Sequence, residues 1–519
     1  MVMKASSSSL LIDVDVSLRV KTLLFPSPGS FSPCLDDLDS RLLAATIHKQ
    51  VKNALAVMIQ HNLVKFEAND RNSNIAEYSA ISHHIYCLLR YPKYLYMMKR
   101  MFGDLEEMLL EILLNHGQAS ASNVIFMAAK RLNEARGVTG ELMDPISLHE
   151  KLVNLAANQY IVRCPCISAD AQKIPTFVVD AETDPFVVPP LNLGIIAQKL
   201  KENAPEIGEH TDSTIIWRVN FQRFDVEMRN VILVNAAARR VDPIAGELYH
   251  LLLQLWSRCS SFDAPITNFI DFHQIKDAVR KNANCSALLR DHFDQYLRVL
   301  CEDSSNLIIK AGDAGGGQYL LNYKSVFENL ACATLDSIVL EKFGSKALRL
   351  FRLTRTEKYI EHDGMHNASM ILPKEVKMFS YKLVEHNFLQ FQELKKGTSS
   401  SAPVKSFVLF YVDLPQVART ALDLTFKGIF NALILKEHVE VENKRLIEKF
   451  DRMEILLRTL RAEDASEDDL AYVEESMTQT EKTLVKKVQA MTDQLALGES
   501  QVDESILILE SYIHFLDSK

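Results

Sequence analysis

The chain has 519 residues, too many for one hydrophobic core, and its 47% hydrophobic and 24% charged content exclude a disordered or fibrous protein. A net charge of −9 excludes a broad basic face that would grip nucleic acid unaided, so any such contact is local or shared with partners. No apolar run reaches the roughly 20 residues of a membrane span, and the apolar patch Leu10–Ile12 is too short for a signal peptide.

In chain order, residues 1–37 are an irregular N-terminal segment broken by Pro26, Pro28 and Pro33. Residues 38–95 are expected to hold a first winged helix. Its helix Ile47–Asn62 buries Ile47, Val51, Leu55 and Met58, and a strand, a polar turn and the strand Ala76–Ala80 follow. Residues 96–185 repeat the order. Helices Asp104–His116 and Ser122–Ala135 precede the helix Leu148–Gln159, and Tyr160–Arg163 and Thr176–Val179 are expected to pair as its hairpin.

Residues 186–325 hold an insert and a third unit, with helices Ala245–Trp256, Asp271–Lys281 and Leu288–Leu300 before a Gly-rich hairpin at Asn306–Tyr323. Residues 326–436 hold the fourth, in which Val326–Leu353 reads as one long helix. Glu375–Asn387 precedes the strands Phe388–Phe391 and Phe407–Val412. Each copy places Asn62, Gln159, Asn306 or Asn387 between helix and wing, where a left-handed turn is needed. Four divergent copies of one supersecondary unit predict a mainly α chain with small β-hairpins: a tandem array of four extended winged-helix domains.

Residues 437–519 change character. Leu446, Phe450, Met453, Leu457 and Leu460 step by four and three, and the stepping resumes beyond the acidic break 463–469. Gly498 interrupts the second run, and the whole reads as an antiparallel coiled-coil hairpin.

The glycines Gly312, Gly315, Gly316 and Gly317 resemble a phosphate loop, but no Lys-Ser or Lys-Thr follows them directly and the next residues form a strand rather than a helix. They serve a hairpin turn. The eight cysteines include no CxxC pair, and Cys164-Pro-Cys166 has no second cluster to complete a zinc site. His83 and His84 are helix neighbours pointing about 100° apart, a poor arrangement for one metal. No catalytic constellation stands out, so no enzyme activity, metal or cofactor is expected. Basic residues on or near the last helices of the units are candidate contacts for DNA or a partner: Lys49, Lys52, Lys151, Arg290, Lys374 and Lys377. Lys310 on the third wing joins them, with Arg223, Arg229, Arg239 and Arg240 in the insert.

Leu88–Tyr94, Arg163–Pro165, Trp217–Phe224, Gly312–Asn322, Phe343–Lys346, Glu442–Lys449 and Gln501–Tyr512 form an ordered series of stretches. In their order and spacing the chain resembles the third-largest subunit of RNA polymerase III. The likeness runs from about Ile47 to the C-terminus, and residues 1–37 depart from it. It implies a nuclear, non-catalytic subunit that forms a heterotrimer with two smaller subunits on the polymerase clamp. That trimer would contact DNA near the cleft, help open the promoter and initiate tRNA, 5S rRNA and other small-RNA synthesis. The competing expectations are a stand-alone winged-helix factor similar to general transcription factor IIE, and an enzyme using the Gly312–Gly317 loop.

Overall fold

The computed structural model describes residues 50–68, 76–136, 143–167, 177–178, 184–202, 205, 208, 211–261, 264–282, 285–396, 405–462, 470, 473 and 476–518. Lys49 and the polar turns of the first and fourth wings lie outside the described residues. The chain divides into two compact units, Met1–Glu227 and Met228–Lys519.

In the first unit a helix over 50–60 leads into the antiparallel pair Val64–Ala68 and Ala76–Ala80, with Phe66 opposite Tyr78. The helices Ser82–Met101, Asp104–His116, Ala121–Arg136 and Pro145–Ala157 follow. Their apolar residues recur every three or four positions, and Leu109, Leu113, Val124, Ala128, Leu148, Leu152 and Leu155 are buried. Asp144 caps the last of these helices by accepting from Ile146 N at 3.1 Å, and Pro145 fills the first helical position, where its missing N–H costs nothing.

The wing after this helix differs from its expected pairing. Ile161–Arg163 does not pair with the strand near Phe177 but with Ile216–Val219, which also pairs with Ala119–Ser120 to give a three-stranded sheet. The local pair is instead Cys166–Ile167 with Phe177–Val178. The insert therefore supplies the central strand of the second wing. Its alternation buries Trp217 and Val219 while Arg218 lies on the other face, the period-two pattern of a half-buried strand.

In the second unit Pro243–Cys259, Phe272–Lys281 and Ala287–Glu302 precede a sheet in the order Ile270–Asp271, Gln318–Leu320, Ile309–Gly312. Gly315, Gly316 and Gly317 all take positive φ at the turn, as expected of a wing tip. The long helix expected over Val326–Leu353 is two helices, Tyr323–Phe343 and Ser345–Glu357, broken at Gly344 with φ 86°. Asp336 ties them together, accepting from Arg352 at 2.8 Å and Arg355 at 2.9 Å. Then come His362–Ser369, Pro373–Glu385 and the hairpin Gln390–Lys396 with Lys405–Tyr411.

The C-terminal part is only partly the coiled-coil hairpin that the spacing predicts. Lys444–Ala462 packs along the first half of Gln479–Asp517 through Met453, Leu457, Met477 and Val485. The second half packs on Tyr323–Phe343 and Leu414–Glu442, so Leu509, Tyr512 and Phe515 belong to the main core of the unit. Phe515 stacks on Tyr323 with centroids 5.2 Å apart. Gly498 does not break the helix: a Cβ there would meet open space, and packing at both ends outweighs the ~1 kcal/mol propensity cost of glycine.

Candidate partner and nucleic-acid interface

The junction between helix and wing fixes which side chains face outward. Asn62, Gln159, Asn306 and Asn387 have φ of 55°, 65°, 53° and 60°, the left-handed turn their position requires. At three junctions two hydrogen bonds close the helix end. Leu63 N donates to Met58 O at 2.9 Å, Tyr160 N to Leu155 O at 3.1 Å and Phe388 N to Leu383 O at 2.8 Å. Asn62, Gln159 and Asn387 donate to the carbonyls three residues back. The residue after each turn is apolar; Tyr160, Leu307 and Phe388 are buried and Leu63 is half-buried.

The basic residues fall into separate groups. Lys52, Arg239, Arg290, Lys374 and Lys377 are exposed. Lys310 is exposed and pairs with Asp313 on its own wing. Lys151 is bound to the buried Glu106 at 2.9 Å, and Arg223 lies over the Tyr160 ring and 3.5 Å from Glu227. Arg240 makes a two-pronged contact with Asp303, whose carboxyl is held below its usual range against the opposing effect of burial. Arg229 corrects the expectation most clearly. It is 7% exposed, and its guanidinium lies 4.9 Å from the Tyr323 ring and 5.1 Å from the Phe515 ring. It packs as a core residue.

Sequence reasoning missed the outward apolar side chains of the fourth unit, Met370, Leu372, Met378 and Tyr381, which stand 89%, 67%, 55% and 57% exposed. The signal was present: in Pro373–Glu385 the buried residues Val376 and Leu383 leave Lys374, Met378 and Tyr381 on the opposite face.

In the first unit, Asp225 anchors a chain of charged groups. Arg90, 1% exposed at its side chain, donates to Asp225 Oδ1 at 3.1 Å, and His83 Nε2 donates to Asp225 Oδ2 at 3.0 Å. Cys87 Sγ lies 3.8 Å from the same His83 nitrogen, so His83, Cys87 and Asp225 are one group of three potential metal ligands among the described residues. The hydrogen bond to Asp225, seconded by Cys87, raises His83 to about 10. His84 diverges from it: its Nδ1 meets Asn62 O at 2.8 Å, and burial lowers its pKa. His83, His84, Tyr91, Arg218 and Gln222 border a cavity of about 330 Å³.

Comparison with known proteins fits this frame. Residues 194–330 match the family described as RNA polymerase III subunit RPC82, 335–412 the C-terminal winged-helix domain of POLR3C, and 445–508 the helical hairpin domain of DNA-directed RNA polymerase III subunit RPC3. The chain is 33% identical over 487 residues to DNA-directed RNA polymerase III subunit RPC3 of Homo sapiens, covering 89% of this chain and 90% of that one. The chain belongs to the RPC3 family. The same-named proteins of Mus musculus and Danio rerio are 34% and 33% identical, again over 89% of this chain. The RPC3 hairpin match ends at residue 508, just where the last helix enters the core of the second unit at Leu509.

Proposed function

We propose that this chain is the RPC3-type subunit of a nuclear RNA polymerase III, built on four extended winged-helix domains. It is an accessory subunit of the polymerase, without an active site of its own. The reading places it with two smaller subunits on the clamp. There it would support promoter opening and initiation of tRNA, 5S rRNA and other small-RNA synthesis, meeting DNA locally and without sequence selectivity.

The observation that carries this reading is likeness along most of the chain: 89% of it aligns with relatives named as RPC3, and 90% of the human relative is covered. A stand-alone factor similar to factor IIE is not favoured by that coverage. The scattered basic residues support the local nature of the DNA contact. Several of them, such as Lys151 and Arg240, already hold acidic partners of their own.

Affinity purification of the tagged chain from nuclear extract tests the proposal. The catalytic subunits of polymerase III are expected to co-purify in stoichiometric amount. Recovery of a free chain that binds duplex DNA tightly and selectively would overturn it.

A further inference from the structure

We infer that the outward face of Pro373–Glu385, the last helix of the fourth unit, is a docking site for an acidic, apolar protein segment rather than a DNA-reading surface. The helix buries Val376, Ser380 and Leu383 and presents Lys374, Lys377, Met378 and Tyr381, spaced as one stripe at i, i+3, i+4 and i+7. Leu372, at the N-cap, and Met370, held at φ 55°, precede it and are still more exposed.

Three features identify the occupant. Large apolar side chains left in water on one helix face mark a protein interface. A DNA major groove offers such side chains little beyond thymine methyl groups. The charge at the head of the stripe is basic, and one exposed carboxylate, Glu385, stands at its far end, one turn beyond Tyr381. Lys374 and Lys377 are exposed, while Glu375 at its flank is bound by Lys346 at 2.7 Å. The partner is therefore acidic as well as apolar, with carboxylates spaced to meet the two lysines.

The proposal rests on the polymerase reading only for where the partner is found, and two measurements separate the two. In the first, the purified full-length chain is titrated with a labelled synthetic amphipathic helix carrying leucine and phenylalanine on one face and glutamate beside it. Binding is expected, weakened about tenfold or more by Met378→Glu or by the double change Lys374→Glu, Lys377→Glu. A lysine-for-glutamate version of the peptide should not bind. In the second, a photoreactive residue at position 378 is activated in the assembled polymerase and the crosslinked segment is sequenced. An acidic, apolar protein segment supports the proposal. A crosslink to DNA, to a second copy of this chain or to a segment without acidic residues overturns it, as does peptide binding indifferent to the three substitutions. Failure of the chain to assemble with polymerase would defeat the functional reading and leave the first measurement standing as the test of this one.

Discussion

The last helices of the third and fourth units have the same inward pattern and different outward charge. Ala287–Glu302 buries Leu289, Phe293, Leu297 and Leu300, and Pro373–Glu385 buries Val376, Ser380 and Leu383. Outward, the third shows Arg290, Asp291, Asp294 and Arg298, of mixed sign, beside exposed Leu288 and Val299. Arg290 donates to Asn282 O at 3.0 Å and Arg298 to Glu302 at 2.7 Å, so its charges are partly satisfied at home. The fourth shows lysines with exposed Met378 and Tyr381. The inward register is dictated by the fold and repeats. The outward residues are free of that constraint, and there the copies become different surfaces.

Leu297→Ala and Leu383→Ala should cost most, about 2–5 kcal/mol each, because both side chains are fully buried and a cavity remains. Urea unfolding of the full chain reads this. Equal, small losses at both sites would break the claim of a shared inward register. Arg229→Ala should follow at about 2 kcal/mol, the scale of a desolvated cation on aromatic rings. Its DNA affinity should be unchanged, which a salt titration of binding would check. Asn387→Val should cost about 1–2 kcal/mol, since a branched side chain resists φ 60°, whereas Asn387→Gly should be nearly neutral. Met378→Ala and Lys374→Ala should change stability by less than about 0.5 kcal/mol in thermal melts, sharpening the contrast between the two faces.

A separate effect is on pH dependence. His83 is raised to about 10 by Asp225, so its contribution is full below the ordinary histidine range near 6.5 and is lost as pH rises toward 10. Its neighbour His84 is lowered by burial, so it destabilises as pH falls below that range. The stability difference between the native chain and His83→Asn should therefore shrink from pH 6 to pH 10, and a difference that grows over that interval would contradict the assignment.

Much of this fold was legible because its signals are local. The helix period, the proline and aspartate at helix starts and the Asn or Gln before each wing act within a few residues, and all four left-handed turns lie where they were expected. The pairing of the second wing was not legible. Ile161–Arg163 finds its partner at Ile216–Val219, and a closer β-rich run at Phe177–Val178 competes for the same reading. The break at Gly344 was missed because hydrophobic stepping continues across it. Arg229 was misplaced because a cation is read as surface unless aromatic rings from distant helices are known to cover it. For the candidate interface, sequence identified the lysines at 374 and 377 but not the apolar side chains between and before them, since their exposure depends on which face the junction turns inward.

The last helix has a consequence for how the chain is made. Phe515 closes a core whose other side, Tyr323 and Phe327, is translated almost two hundred residues earlier. A ribosome making this protein therefore carries an open hydrophobic trough until the last helix has been made. Nascent chains of this protein should hold chaperones late, and a stop codon before Leu509 should leave a product cleared by proteolysis instead of a shortened but stable subunit.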